Sequence, residues 1–391
     1  MFALLYFAQG SIMAFFTAMN ALYLQSFGLP MSRIGIIGTI ALIPFVIKIF
    51  IGLVSDKNNL LGLGYRKPYI ILGLLIQAIC LMVAPLIDPA RHFTWYAGLA
   101  FLMMGGMALY DTCTDGLALD TTPEEEEGKM QGYMVGGRAV GTVLVSASIG
   151  VIAEYYSWPA VFMFLAVITL LPLPLVLLSK EGKRPEERQF DWRAFSSFKQ
   201  PEVIALSVLG LLYSLIIYGA NQLVNPFLSE SFSISLSTAG FISTVLGIGI
   251  VAGGLVGGGI IDRIGQRRGV MGALAIALIS IGLLALIVEP WMAWILVLIF
   301  GFAFGFYETV YFAISMRVTD GRIAATMFSI LMAVANIGTG IGLGVTGVMA
   351  DQLGFRWSFV VIALLNLLAL PLLGIIFPRK EKHFAELRNA K

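Results

Sequence analysis

Long apolar runs separated by short polar stretches extend along almost the entire chain. Each run holds about 20 residues or more, which is the length that an α-helix needs to cross the hydrocarbon core of a bilayer. The pattern therefore predicts an all-α protein with twelve transmembrane helices. The predicted ranges are 2–25, 33–55, 68–88, 94–119, 130–153, 158–179, 203–228, 236–261, 269–288, 291–316, 323–349 and 355–377.

The longest polar segment between helices, residues 180–202, divides them into two groups of six. We predict an N-terminal six-helix bundle over 1–179, a C-terminal six-helix bundle over 203–377 and a polar tail over 378–391. Within the linker, the sequence FDWRAFSSFK alternates aromatic and charged residues. A short helix lying on the membrane surface would explain this alternation, and a solvated linker would explain it equally well.

The composition excludes a soluble globular domain. Hydrophobic residues make up 58% of the chain, charged residues make up 12%, and the mean hydropathy is +0.89. The surface of a soluble domain of this size needs more charge. Cys80 and Cys113 both lie in apolar runs, so we predict no disulfide framework. The first apolar run follows no basic segment and is long, so we predict a transmembrane helix there and no cleaved signal peptide.

Lysine and arginine residues are strongly biased to one side of the predicted membrane. With both termini on the same side, 20 of these residues lie on that side. Only Arg33, Arg91 and Arg356 lie on the other side, while Lys48 and Arg138 fall within helices. Loops rich in lysine and arginine stay in the cytoplasm. We therefore predict a multi-pass protein of the plasma membrane, the bacterial inner membrane, with both termini cytoplasmic.

The two halves share four short sequence features in the same order. They are Gly52-Leu-Val-Ser-Asp56 with Gly258-Gly-Ile-Ile-Asp262 at an offset of 206 residues, and Tyr110-Asp111-Thr112 with Tyr307-Glu308-Thr309, Gly150-Val-Ile-Ala-Glu154 with Gly347-Val-Met-Ala-Asp351, and Pro174 with Pro371 at an offset of 197. Internal similarity of this kind is typical of transporters built from repeats. Four ordered matches with one change of offset predict two pseudo-symmetric six-helix bundles.

The loop after the second helix of each half resembles the signature loop of the major facilitator superfamily. There, G-x-x-x-D is followed by a basic residue, a glycine and further basic residues. The second loop, Asp262-Arg-Ile-Gly-Gln-Arg-Arg268, is the closer copy. The first loop departs from the pattern, since Lys57 follows the aspartate and extra residues precede Gly64-Tyr-Arg-Lys67. The resemblance implies the major facilitator fold and solute transport.

Three further features resemble one branch of that superfamily, which contains the muropeptide permease AmpG and the acetyl-CoA transporters. They are Leu4-Leu-Tyr-Phe-Ala-Gln-Gly10, Pro44-x-x-x-Lys48, and Asp111-x-x-x-Asp115-Gly-x-Ala-Leu-Asp120-x-x-Pro123. Similarity to this branch implies transport that is often coupled to protons. It does not identify the substrate.

Ionisable residues fall deep within four predicted helices: Lys48, Asp111, Asp115, Arg138 and Glu308. Four of them lie eight or nine residues from the cytoplasmic end of their helix, which corresponds to a depth of about 12–13 Å. Asp115 lies one turn closer to that end, on the same helix face as Asp111. Half of the hydrocarbon core is about 15 Å thick, so these charges are expected to meet near the midplane, where transporters bind substrate and coupling ions.

We expect Asp111, Asp115 and Glu308 to take part in proton coupling. Asp111 and Asp115 repel each other in a medium of low dielectric constant, and protonation of one of them removes that repulsion. Lys48 and Arg138 are expected to neutralise a carboxylate or to hold an anionic group of the substrate. Alternatively, Arg138 and an aspartate pair only to hold helices together. The asymmetry of the charges favours function, because Gly254 and Ala335 occupy the positions equivalent to Lys48 and Arg138.

Uncharged polar residues lie at the same depth, and we predict that several of them bind the substrate. These are Asn20 on the first helix, Asn221, Gln222 and Asn225 on the seventh, and the repeat-related Tyr110 and Tyr307. Gln9 and Tyr218 lie near them. Hydrogen bonds between helices are an equally good explanation for such residues.

Charged residues also cluster at the predicted cytoplasmic ends of the helices, where we expect a gate. The candidates are Asp56, Arg66 and Asp120 in the first half and Asp262, Arg263 and Arg267 in the second. Ion pairs and helix-end dipoles there would hold the halves together while the protein faces outward. Alternatively, the basic residues only fix the topology, although this does not explain the aspartate in both halves.

Glycines four residues apart recur on several predicted helices and are expected to allow close backbone packing. The pairs are Gly132 with Gly136, Gly137 with Gly141, Gly249 with Gly253, and Gly340 with Gly344.

The sequence favours a proton-coupled symporter for an anionic or amphipathic organic solute, acting as a monomer by alternating access. An exporter or antiporter would use the same charges. A membrane assembly or lipid-handling protein that moves no solute would need no charged layer at the midplane. We expect no enzyme activity, cofactor, metal site or nucleic-acid partner, because no nucleotide-binding loop or catalytic triad is present and both histidines lie outside the helices.

Overall fold

The computed structural model describes residues 1–57, 64–122, 126–179, 200–318 and 324–377. Within these residues the chain is entirely helical, and twelve helices are long and apolar enough to cross a membrane. The all-α class with twelve transmembrane helices is therefore confirmed. Most of the predicted linker, at 180–199, and the predicted tail at 378–391 lie outside the described residues. The proposed surface helix in the linker thus stays a prediction.

The twelve helices begin and end within a few residues of the predicted ranges. In the first half they are α1 (Phe2–Gln25), α2 (Met31–Lys57), α3 (Lys67–Leu86), α4 (Phe93–Thr121), α5 (Glu127–Tyr155) and α6 (Trp158–Leu178). In the second half they are α7 (Pro201–Phe232), α8 (Leu236–Ile264), α9 (Gln266–Leu284), α10 (Pro290–Val318), α11 (Ala324–Leu353) and α12 (Phe355–Ile376). An even number of crossings puts Met1 and Phe377 at the same end of the bundle, here called the terminal side. The opposite end is called the far side.

Irregularities of two kinds interrupt three of the helices. A π-helical turn over Phe15–Met19 lies in the middle of α1. The last helix of each half is broken, α6 before Leu173 and α12 before Leu370. Each break lies next to one of the repeat-related prolines, Pro174 and Pro371, and proline lacks the amide hydrogen that a continuous helix needs. The repeat is thus visible in the irregularities as well as in the sequence.

Helix packing repeats between the two halves. In the first half α1 packs against α5 and α2 against α4, and in the second half α7 packs against α11 and α8 against α10. The halves meet along two seams, where α2 packs against α11 and α5 against α8. The structure therefore has the predicted arrangement of two pseudo-symmetric six-helix bundles.

Glycines at these contacts allow the backbones to approach closely, but only some of the predicted pairs take part. A Cβ atom at Gly249 would lie 2.6 Å from the Leu298 carbonyl oxygen of α10. A Cβ atom at Gly137 would overlap the Ala3 carbonyl oxygen of α1. In contrast, a Cβ atom at Gly132 or Gly136 would meet nothing within 4 Å. The prediction of close packing was wrong for this pair, because the two residues lie on a face of α5 without a neighbour.

Adjacent glycines on α5 provide a matched test of this packing. We predict that Gly137→Ala lowers the free energy of unfolding by about 1–3 kcal/mol, because the added methyl group forces α1 and α5 apart. Gly136→Ala should be neutral or slightly stabilising, since alanine favours helix more than glycine does. Thermal unfolding of both variants in the same detergent would measure the difference. Equal effects of the two substitutions would contradict the observed α1–α5 contact.

Candidate functional site

The carboxylate of Asp111 lies where α1, α2 and α4 meet. It is 4% exposed, and two side chains from neighbouring helices contact its two oxygens. The Gln9 amide on α1 donates a hydrogen bond of 2.6 Å to Oδ1. The Lys48 ammonium on α2 lies 3.4 Å from Oδ2 and keeps a partly exposed side chain. One buried carboxylate thus joins three helices of the first half.

Asp115 lies one turn beyond Asp111 on α4 and also faces α1. Its Oδ1 accepts a hydrogen bond from the Tyr6 hydroxyl on α1. Tyr6 and Gln9 are three residues apart and therefore lie on one face of α1. Each of the two carboxylates is bound by one donor from α1. In the sequence, Tyr6 stands out only within the motif Leu4-Leu-Tyr-Phe-Ala-Gln-Gly10. It lies three residues before Gln9 and the two aspartates lie four residues apart, and both spacings correspond to about one helical turn.

Arg138 on α5 faces the same region without a direct ionic partner. Within the part of the chain that the structure describes, no carboxylate oxygen lies within 4.0 Å of its guanidinium group, and the side chain is partly accessible. Glu308, from the opposite half, is the carboxylate that interacts with it most strongly by electrostatics, and Asp111 contributes as well. Arg138 therefore has capacity to bind an additional anion.

Glu308 on α10 lies on the opposite side of the interface between the halves. It accepts a hydrogen bond of 3.4 Å from the Tyr218 hydroxyl on α7. The five predicted charges are thus brought into one region, with four contributed by the first half and one by the second.

A cavity between the halves adjoins this group of charges on the far side. Its volume is about 80 Å³. Residues from α1, α2, α4, α7 and α11 line it, and the polar ones are Thr17, Asn20, Tyr218, Asn221, Gln222, Asn336 and Thr339. Apolar residues such as Phe16 and Phe45 complete the wall. Tyr218 links the cavity to the charges, because it also contacts Glu308.

Two amides near the cavity, those of Asn221 and Asn225, bridge the two halves. Asn221 donates to the Thr17 carbonyl oxygen of the first half at 3.3 Å, whereas Gln222 donates to that of Leu343 within its own half at 3.0 Å. Asn225 does not line the cavity; it is 3% exposed and donates to the Ala18 carbonyl oxygen at 2.6 Å. The geometry thus fits hydrogen bonding between helices for Asn225, while Asn20, Asn221 and Gln222 reach the cavity.

Tyr110 and Tyr307 occupy equivalent positions in the cores of the two halves, away from the cavity. Both are at most 1% exposed. Tyr110 packs where α3 and α4 come close at Gly73, and Tyr307 packs against the ring of Tyr213 with a centroid distance of 4.8 Å. Neither residue lines the cavity described above. Their shared sequence position reflects the repeated packing of the halves.

The predicted gate residues divide into a buried pair and an exposed group. Arg66 donates from Nε to Asp120 Oδ2 at 3.1 Å and from Nη1 to Ser55 Oγ at 2.9 Å, so these contacts lie within the first half. Gly116 leaves room for this guanidinium, since a Cβ atom there would lie 2.6 Å from Arg66 Cζ. Arg263 and Arg267 are exposed. The side chains of Asp56 and Asp262 lie outside the described residues.

Among the residues described, no three His, Cys, Asp or Glu side chains come close enough to hold a metal ion. The arrangement instead offers carboxylates that can take up protons, cations that can hold an anion, and a cavity between two bundles.

Comparisons with known proteins agree with this architecture. A sequence model described as Major Facilitator Superfamily matches residues 1–225 and 206–390. The sialic acid transporter NanX of Escherichia coli is 25% identical over 244 residues, which cover 60% of this chain and 56% of NanX. The chain thus spans little more than half the length of that relative. The folate-biopterin transporter of Synechocystis is 24% identical over 412 aligned positions, covering 95% of this chain and 80% of that protein.

Solved structures share the fold at lower sequence identity. A mutant of the nucleoside transporter NupG superimposes with a TM-score of 0.78 at 15% identity, covering 96% of this chain and 98% of the other. A bacterial homolog of the human lysosomal transporter Spinster, in an inward-facing and occupied conformation, gives 0.75 at 17% identity, covering 96% and 94%. These likenesses describe the fold alone.

The two ion pairs of aspartate with arginine allow a test of the buried gate pair. We predict that Asp120→Asn lowers the free energy of unfolding by about 1–3 kcal/mol, because the buried Arg66 loses one charged hydrogen-bond partner. Asp88→Asn should cost less than about 1 kcal/mol, since the Arg91 side chain opposite it is 83% exposed. Both substitutions keep an amide acceptor and remove one charge. Thermal unfolding in detergent is the measurement, and an equal loss in both variants would contradict a buried role for the pair.

Proposed function

Since the chain belongs to the major facilitator superfamily, we propose that it carries a small organic solute through the central cavity by alternating access, coupled to protons. The chain is a multi-pass membrane transporter of this type. The observation that supports proton coupling is the pair of carboxylates on α4, each bound by a donor from α1, beside a cavity between the halves. Members of this superfamily are generally not enzymes.

Protonation of Asp111 would change the hydrogen bonds that hold it. The ionised carboxylate accepts from Gln9 and faces Lys48. A protonated carboxyl group also donates, and the Gln9 Oε1 atom is buried without a hydrogen-bond partner in the described structure. Rotation of the Gln9 amide would therefore exchange one hydrogen bond for another when Asp111 takes up a proton. Loss of the negative charge would also free Lys48 to bind elsewhere.

The solute is proposed to be anionic or amphipathic. The cavity wall combines aromatic and aliphatic side chains with a few amides and hydroxyls, which suits a solute with an apolar part and several hydrogen-bonding groups. Arg138 supplies an available guanidinium group near this wall, and guanidinium binds carboxylate and phosphate in a bidentate manner. Asn20, Asn221 and Gln222 are the proposed hydrogen-bonding residues.

The proposed orientation in the membrane and the proposed branch of the superfamily rest on sequence features. We place the terminal side in the cytoplasm of a bacterial cell, on the basis of the lysine and arginine bias. The three motifs similar to the muropeptide permease and acetyl-CoA branch widen the range of candidate solutes to peptidoglycan fragments and acyl-CoA. The printed names of the two relatives add sialic acid and folate or biopterin.

The coupling proposal can be tested with a ligand screen on the purified protein. We predict that a ligand among N-acetylneuraminate, folate, nucleosides, peptidoglycan fragments and acetyl-CoA raises the melting temperature, and does so more strongly at acidic than at neutral pH. Asp115→Asn and Asp111→Asn should remove this pH dependence, because the amides cannot take up a proton. Asp88→Asn, a loss of charge outside the site, should retain it. Full pH dependence in both site variants would contradict proton coupling through α4.

The role of Arg138 can be tested with the same ligand. We predict that Arg138→Lys weakens binding of an anionic ligand about tenfold, because lysine keeps the charge and loses the bidentate geometry. Arg138→Gln should weaken binding further, since it removes the charge as well. Isothermal titration would measure both constants. Unchanged affinity in Arg138→Lys would show that Arg138 acts only through its charge, and unchanged affinity in Arg138→Gln would contradict a role in binding.

A further inference from the structure

An acidic side chain at the far-side end of α5 contacts the first turn of α8 across the interface between the halves. Glu154 Oε2 accepts hydrogen bonds from the Ser237 backbone N–H at 2.7 Å and from its hydroxyl at 2.6 Å. Ser237 is the second residue of α8. Its N–H has no acceptor within the helix, because the first four N–H groups of a helix lie ahead of the hydrogen-bond ladder. A carboxylate from one half therefore caps a helix of the other half, next to Ser235, whose hydroxyl accepts from the Thr238 N–H at 3.2 Å.

The end of α11 contacts the first turn of α2 in the same way. Asp351 Oδ1 accepts from the Met31 N–H at 2.9 Å, and Oδ2 accepts from the Ser32 N–H at 2.8 Å. The residue before α2 is Pro30, which has no side-chain acceptor that could cap the helix. Asp351 thus acts as the cap for α2, although it belongs to the opposite half.

The two contacts are related by the internal repeat. Glu154 and Asp351 are separated by 197 residues, and Met31 and Ser237 by 206, which are the two offsets found between the halves. The acceptor of the first half caps the second half, and the acceptor of the second half caps the first. The contacts are therefore reciprocal across the pseudo-twofold axis.

Glycine makes both contacts possible. A Cβ atom at Gly347, one turn before Asp351, would lie 2.9 Å from the Met31 carbonyl carbon. A Cβ atom at Gly150, one turn before Glu154, would lie 2.9 Å from Gly240 Cα on α8. Only glycine allows the backbones to come this close. The carboxylates are thus held next to the helix ends by the packing of the two seams.

Among the residues that the structure describes, the other hydrogen bonds between the halves also lie in the far-side part or near the middle of the helices. Thr39 of α2 donates to the Gly340 carbonyl oxygen at 2.6 Å, and Thr244 of α8 donates to that of Val143 at 2.8 Å. Together with the contacts of Asn221 and Asn225 to α1, they hold the far side closed in this conformation.

We propose that Glu154 and Asp351 form a paired latch that holds the far side closed by capping α8 and α2 of the opposite halves. Opening of the far side separates α5 from α8 and α11 from α2, so both helix starts lose their carboxylate. A carboxylate at a helix start is stabilised by the N–H groups and by the helix dipole. The latch therefore favours the closed state without contacting the solute. It requires neither a particular substrate nor proton coupling.

Distances between spin labels can test the latch in the full chain in lipid nanodiscs. Cys80 and Cys113 are first replaced by alanine. One label pair at Arg91→Cys and Glu289→Cys reports on the far side, and a second pair at Thr121→Cys and Arg268→Cys reports on the terminal side. All four positions are exposed and each pair spans the two halves.

Each of Glu154→Ala and Asp351→Ala should shift the ratio of far-side-open to far-side-closed molecules about fivefold, as expected for loss of one helix cap. The double variant should shift it roughly 25-fold if the two contacts act independently. The far-side distances then become longer while the terminal-side distances become shorter. Asp351→Asn should give an intermediate shift, because it keeps an acceptor and loses the charge.

Glu230→Gln is the matched control, since Glu230 is exposed near the same side and has no hydrogen bond or ion pair among the described residues. A second comparison uses Gly347→Ala, which should also open the α2–α11 seam, against Gly282→Ala, where a Cβ atom meets nothing within 4 Å. The latch would be overturned if Glu154→Ala, Asp351→Ala and the double variant all gave the same distance distributions as Glu230→Gln. If Gly347→Ala opens the α2–α11 seam and the carboxylate variants do not, the seam is held by close backbone packing and the latch is contradicted.

Discussion

A charge buried in a membrane needs an opposite charge or hydrogen-bond donors next to it, and Asp111 has both. Its two oxygens face Gln9 of α1 and Lys48 of α2, so one carboxylate fixes three separate helices relative to one another. Asp115 and Tyr6 repeat the arrangement one turn away. Any change in the charge of this pair alters contacts on α1 and α2 together, and both of these helices also line the cavity.

The two sides of the bundle are held by different chemistry. On the far side, carboxylates and hydroxyl groups of one half contact backbone groups of the other half. On the terminal side, the buried pair of Arg66 and Asp120 lies within one half. Contacts to backbone atoms depend on where the opposite helix lies, and they depend little on which side chains that helix carries. Such contacts can be broken and formed again as rigid bundles rock about the cavity.

The sequence predicted the helices well, because apolar runs of this length have few alternatives to crossing a membrane. It also predicted that Lys48 and Asp111 lie at the same level, since the level depends only on residue count along each helix. It did not predict rotation about the helix axis. Tyr110 and Tyr307 lie beside the site in sequence and pack into the cores of the halves, and Gly132 and Gly136 face open space. The hydrogen bond of Tyr6 with Asp115 needed the tertiary arrangement of α1 and α4.

The π-helical turn at Phe15–Met19 has a mechanical consequence for α1. It separates the segment that carries Tyr6 and Gln9 from the segment that carries Asn20. A π turn holds one residue more than an α turn, and such turns often lie at functional sites. Conversion to α geometry would rotate one segment against the other by about 100° and advance it by about 1.5 Å. A change in this one turn would therefore rotate Tyr6 and Gln9 relative to Asn20 within a single helix.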